Sequence, residues 1–243
     1  MARYDVAPKW FRTPKDHSVL VYIREGTNDW NTANSCLTED EYGTRDLPYL
    51  SGICLDIGGY LGTVSLALLI DHPESRVVIV EPLHENVELI RQNLRVNDVL
   101  LRATVIEGAV GKPGSEVTIR YAYGETENDL HHAFVGNANI VSGDERPHRE
   151  VTYPALGLAD LVLDGLALNV PIPWLKIDCE GGEWGFLDDP AIAQVERIVG
   201  EFHPVLLPDG ETGSRERLER LLGATHEITY AGPEAWGFTA IRR

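Results

Sequence analysis

The stretch CLDIGGYLGTVSLALL, Cys54 to Leu69, constrains the fold more tightly than any other part of the chain. An apolar run ends on Asp56, the chain passes Gly58, Gly59 and Gly62, and a second apolar run follows at helical length. A buried strand that turns through glycine directly into a helix is the opening unit of a parallel α/β sheet.

The rest of the chain repeats that alternation. ICLDI (Ile53–Ile57) predicts a strand and Thr63–Ile70 a helix. RVVIVE (Arg76–Glu81) predicts a second strand. Its helix carries Leu83, Val87, Ile90 and Leu94 on one face, with Pro82 suited to the first helical position. ATVIEGAVG (Ala103–Gly111) reads as a third strand and turn, and EVTIRYAY (Glu116–Tyr123) as an antiparallel addition. A helix is expected over Leu156–Leu166, followed by strands in PWLKIDCE (Pro173–Glu180) and RIVGEFHPV (Arg197–Val205). A helix over Ser214–Leu222 and a hairpin of HEITY and GFTAIR close the chain. This order predicts a doubly wound, mostly parallel sheet with helices on both faces.

At 243 residues the chain suits one large domain, with residues 51–243 as its body and residues 1–50 as an N-terminal cap packed on it. The polar segment about 124–150 is too long for a plain connector and reads as a lid-like insertion. His131 and His132 within it read as solvated loop rather than ligands. A formal net charge of −17, from 38 acidic and 21 basic residues, repels phosphate backbones and anionic lipid surfaces. Nucleic-acid and membrane partners are therefore not expected, whereas a small neutral or cationic acceptor is compatible, as is a homo-oligomer. Three scattered cysteines and an N-terminus without a signal-peptide core point to the cytoplasm.

The glycine turn separates two cofactor classes. A dinucleotide fingerprint needs glycine at 58, 60 and 63, or at 59, 61 and 64; the chain has Tyr60 and Thr63, or Leu61 and Val64. An acid followed by glycine two and six residues on (Asp56, Gly58, Gly62) instead fits S-adenosylmethionine, which has no phosphate but carries a sulfonium cation. Glycine permits close backbone approach to it, and carboxylates suit its charge. Candidate cofactor contacts are thus Asp56, Gly58, Gly59, Tyr60, Gly62, Glu81 with the adjoining Pro82, the Glu107, Gly108, Ala109 turn, and Asp178. Glu81, ending the second strand, is placed to accept the two ribose hydroxyls.

Acids also gather where strands end, which in such sheets is where ligands bind. KIDCEGGE places Lys176, Asp178 and Glu180 on one side if the strand stays extended that far. GEFHP adds Glu201 and His203. His203 is a candidate general base, with Asp178 and Glu180 as further catalytic candidates. Glu180, Glu201, His203 and Trp30 are candidate substrate contacts. Asp178 and Glu201 are candidate ligands for Mg²⁺, since two or three oxygens plus waters suit that ion.

DIGGYLGTVSLAL, VVIVEPLHENVELIRQNLRVN, EGAVG and above all WLKIDCEGGEWGFL resemble the FkbM family of S-adenosylmethionine-dependent methyltransferases, over about Ile23 to Val205. The resemblance implies a Rossmann-like class I methyltransferase with a seven-stranded sheet. It also implies O-methylation of a hydroxyl on a sugar or natural product. An amine acceptor, or a non-catalytic protein that kept the fold, are the alternatives. The chain departs from the family at Gly59 and Tyr60, where the family has a small residue and asparagine.

Overall fold

The structure is a computed structural model, describing residues 5–122, 133–135, 148–162, 171–207, 209–232 and 236–243. It divides into two compact units, the first comprising the described residues through Glu107 and the second those from Gly108 onward.

The first unit opens with an antiparallel hairpin, β1 (Val6–Arg12) and β2 (Ser18–Arg24), followed by helix α1 (Asp29–Leu37). Strand β3 (Gly52–Ile57), helix α2 (Thr63–Asp71), strand β4 (Ser75–Glu81), helix α3 (His84–Val96) and strand β5 (Ala103–Glu107) come next. β4 pairs in parallel with β3 on one side and β5 on the other, with Ile79 opposite both Asp56 and Val105. Its unbroken run Val77–Val80 is buried throughout, as a central parallel strand requires. Helix α2 is buried on every side from Thr63 to Leu69, so its apolar sequence has no polar face to show.

Two asparagines attach the hairpin to this unit. Asn93 accepts the Tyr22 N–H at 2.7 Å, and Asn97 accepts the Leu20 N–H at 3.0 Å. Their amide groups donate back to the Tyr22 and Leu20 carbonyls at 3.3 and 2.7 Å. Asparagines one turn apart on α3 thus meet alternate residues of β2, substituting for a neighbouring strand.

The second unit contains β6 (Ala109–Val110), β7 (Glu116–Ala122), β8 (Ala133–Val135) and β9 (His148–Leu156), in the order β6-β9-β7-β8. Helix α4 (Leu158–Val162), strand β10 (Leu175–Ile177), helix α5 (Glu183–Phe186), strand β11 (Arg197–Glu201), helix α6 (Arg215–Leu222) and the hairpin β12 (His226–Tyr230) and β13 (Gly237–Arg242) complete it. β10 and β11 are parallel, and β13 is antiparallel to β11 and β12. The strand order β12-β13-β11-β10-β3-β4-β5 is the mostly parallel seven-stranded sheet expected of the sequence.

Three local expectations need correction. The helix expected from Leu156 begins at Leu158, because β9 continues pairing with β7 and the chain then turns at Gly157. Pro82 does not open its helix: Leu83 is the extended cap residue and His84 the first helical one. The strand expected over Pro173–Glu180 is only Leu175–Ile177, and Glu180 has the left-handed φ of +55°. The side-by-side arrangement of Lys176, Asp178 and Glu180 along one extended strand therefore does not occur. Of the lid-like segment, only residues 133–135 and 148–150 are described, as parts of β8 and β9; His131 and His132 lie outside the described residues.

Candidate active site

In the first unit, the glycine turn runs from the end of β3 into α2. Gly58 and Gly62 have φ of +81° and +74°, which side-chain-bearing residues rarely adopt. Gly59 is needed for packing: a Cβ there would lie 2.4 Å from Ile79 Cγ2. Between them Tyr60 also takes a positive φ, +47°, an uncommon state for an aromatic residue.

A network holds Tyr60 in that state. Its N–H donates to Glu81 Oε2 at 2.9 Å, and its hydroxyl donates to Asp29 Oδ1 at 2.5 Å. Arg24 grips the same Asp29 with Nε and Nη2 at 2.8 and 2.9 Å, and its guanidinium carbon stands 5.3 Å from the Tyr60 ring centre. Arg24 Nη1 donates to Asn86, and Asn86 donates to Glu81 Oε1 at 3.0 Å, closing the circuit. Arg24, Asp29, Asn86 and Glu81 are all buried. Burial and the nearby Asp29 charge push the Tyr60 phenol far above its ordinary pKa, with the Arg24 charge opposing. One guanidinium against two carboxylates leaves this cluster with excess negative charge, which suits a cationic ligand.

Glu81 ends β4 as expected, and it also caps the next helix by accepting the Leu83 N–H at 3.0 Å. Asp56 has no exposed surface, and its Oδ2 accepts from Ser65 at 2.6 Å, fastening α2 to the strand end. Glu107 is exposed and pairs with His84 at 2.9 Å. Gly108 and Ala109 are buried in the second unit. Trp30, half exposed, packs at 6.3 Å from Phe11. It lines a separate open cleft of about 380 Å³ with Trp10, Phe11 and Asn34. A fit to S-adenosylmethionine thus rests on positive-φ glycines, buried negative charge and an acid at the strand end.

The second unit gathers the other candidates around His203. β11 reaches β10 closely through Gly200, where a Cβ would lie 1.7 Å from the Ile177 carbonyl oxygen. That approach puts Glu201 and His203 beside the chain leaving β10. Helix α5 then clasps His203. Glu183 Oε1 accepts the His203 backbone N–H at 2.6 Å and faces its Nδ1 at 3.1 Å, while the Trp184 indole donates to the His203 carbonyl at 2.8 Å. Glu183 Oε2 accepts the Gly181 N–H at 2.9 Å, which curls the EGGE turn and takes Glu180 out of the strand direction. The imidazole Nε2 lies 3.5 Å from Glu180 Oε2 and 3.9 Å from Asp178 Oδ1.

The electrostatics follow. Burial works against a charged His203, but the Glu183 hydrogen bond and the charges of Glu183, Glu180 and Asp178 overcome it, raising its pKa to about 9. Burial pushes Glu180 up to about 7 despite the His203 charge, with Asp178, Glu183 and Glu201 adding to the rise. Asp178, Glu201 and His203 also offer ligand atoms all within 4.8 Å of one another. Sequence reasoning brought Asp178, Glu180, Glu201 and His203 together correctly. It gave no role to Glu183, whose placement two residues after Gly181 was the available signal, and it missed Arg24, Asp29 and Asn86.

A glycine turn between buried parallel strand and buried helix, with an acid closing the next strand, defines a Rossmann-like cofactor-binding fold. Residues 56–230 match the model of the methyltransferase FkbM domain, and the chain belongs to that family of S-adenosylmethionine-dependent methyltransferases. Among solved structures it is similar to precorrin-6y C5,15-methyltransferase from Geobacter metallireducens: 15% identity, 80% of this chain and 82% of that one, TM-score 0.42. TYW2 from P. horikoshii in complex with MeSAdo shares 10% identity over 99% of this chain and 71% of that one, TM-score 0.48. A putative O-methyltransferase from Klebsiella pneumoniae shares 16% over 79% and 73%, TM-score 0.41. No curated protein matches the chain.

Proposed function

We propose that this methyltransferase acts on a hydroxyl group of a small molecule, a sugar or a natural-product scaffold, and that Glu180 receives the hydroxyl proton. The observation that carries this reading is the Glu180–His203 pair, a carboxylate with a pKa of about 7 set 3.5 Å from a histidine that is protonated at neutral pH. A group titrating near the working pH is the effective general base. His203, with its own pKa near 9, carries a proton already, so it steadies the Glu180 carboxylate and the proton-accepting role falls to Glu180.

S-adenosylmethionine, when bound, supplies a methyl group activated by its sulfonium. In the first unit Glu81 would hold the ribose hydroxyls, the Gly58–Gly62 turn would lie against the cofactor's backbone-facing edge, and the excess negative charge would favour the cation. A net charge of −17 supports a small acceptor over a polyanion. All three cysteines are free thiols, which suits a reducing cytoplasm, and no described helix is long and apolar enough to cross a membrane. Calorimetric titration with S-adenosylhomocysteine and with NAD tests the cofactor half; binding of NAD alone would overturn it. Product analysis with paired alcohol and amine acceptors tests the other half, and methylation of the amine alone would overturn O-methylation.

A second reading is favoured by the Asp178, Glu201, His203 cluster: with His203 deprotonated, these groups would hold a divalent cation that lowers the acceptor hydroxyl's pKa. It requires that a chelator abolish turnover and that Mg²⁺ restore it. Full activity in excess chelator would leave the Glu180 reading alone.

A further inference from the structure

We infer that Asp29 and Arg24, which lie in the N-terminal segment before the family match begins, are positioning residues for cofactor binding, acting through Tyr60 on Glu81. The inference rests on the reading of Glu81 as the ribose acceptor.

The structural argument has three parts. Tyr60 sits at φ +47°, a backbone state that persists in a bulky residue only where the surroundings impose it. Here they do so from two ends. The hydroxyl is anchored to Asp29 at 2.5 Å, and the ring lies under the Arg24 guanidinium. Asp29 is itself immobilised, because Arg24 contacts both its oxygens through two side-chain nitrogens and adds its backbone N–H at 2.8 Å. Neither residue is accessible to solvent to any useful extent, at 4% and 0% exposure, so the pair is a fixed point and not a surface ion pair.

What the fixed point controls is the direction of one amide. With the phenol held, the Tyr60 N–H aims at Glu81 Oε2 at 2.9 Å, while Arg24 reaches the other oxygen through Asn86. Both oxygens of the acid are thereby orientated from the same buried pair. The residue that departs from the family, Tyr60, is the piece that makes this connection from α1 to the end of β4. A small residue in its place has no hydroxyl to reach Asp29.

The test is a double-mutant cycle on affinity for S-adenosylhomocysteine, read by calorimetry on the full chain. Tyr60→Phe removes one oxygen and keeps the ring over Arg24. It is expected to weaken binding roughly tenfold, as for loss of a charge-assisted hydrogen bond, with little change in melting temperature. Glu81→Gln is expected to weaken it at least as much. Tyr60→Phe/Glu81→Gln should then bind no more weakly than Glu81→Gln alone, since the tyrosine works through the acid. Additive losses would overturn the inference, as would an unchanged affinity in Tyr60→Phe. Absence of binding by the wild-type chain would overturn the cofactor reading, and this inference with it, before any variant is compared.

Discussion

The carboxylate of Glu183 meets His203 twice through one oxygen, accepting the backbone N–H at 2.6 Å and facing ring Nδ1 at 3.1 Å. Glu183 has no exposed surface. A buried anion that fixes both the position and the charge of a histidine gives the first prediction. Glu183→Gln should bring the His203 pKa down from about 9, read by NMR titration of the imidazole. Because the folded-state pKa lies above the ordinary 6.5, the stability His203 draws from its carboxylates is complete below about pH 6.5 and is lost as pH rises through about 9. The stability difference between wild type and Glu183→Gln should shrink over that window. Glu183→Ala, which strands the imidazolium, should cost about 3–5 kcal/mol below it.

The proposed base sets the second. Turnover should rise with pH through about 7 as Glu180 loses its proton, and fall again past about 9 as His203 loses its own. Glu180→Gln should lower kcat roughly 10²–10⁴-fold and remove the acidic limb of the profile. An unaltered acidic limb in that variant would assign the limb to another group.

Glu81 is held by Tyr60, Leu83 and Asn86, so its geometry is prepared before a ligand arrives. Glu81→Gln keeps the shape and removes the charge. Affinity for S-adenosylhomocysteine should fall by roughly one to two powers of ten, the scale of a charge-assisted hydrogen bond, when measured by calorimetry.

Gly200 is the point where β11 comes closest to β10. Gly200→Ala places a methyl 1.7 Å from a backbone oxygen, so one of the two strands has to move. A loss of at least about 3 kcal/mol is expected in urea denaturation. Gly237→Ala, whose nearest neighbour would be at an ordinary 3.5 Å, is the matched control and should be nearly neutral.

The parallel sheet was readable because its signal is local. Val77–Val80 is an unbroken apolar run, Leu83, Val87, Ile90 and Leu94 keep helical spacing, and Ser214 caps α6 by accepting the Arg217 N–H as a serine there should. The short strand β10 was overestimated because what ends it is remote: Glu183 draws the Gly181 N–H inward, and no periodicity records that. Glu81 could be chosen from its position at a strand end. Asp29 could not, since it lies 31 residues before Tyr60, in a polar stretch that offers no period to read. Of the acids expected to face the cofactor, Asp56 is turned onto Ser65, because a carboxylate at a fully enclosed strand end needs a donor and the first turn of α2 supplies it.

Helix α5 is four residues long, yet through Glu183 and Trp184 it holds the N–H, the ring and the carbonyl of His203. The segments EGGEW and FHP therefore behave as one heritable part although twenty residues separate Glu183 from His203. A chimera that swaps either segment with a relative must swap both, or it will graft a histidine without its clasp.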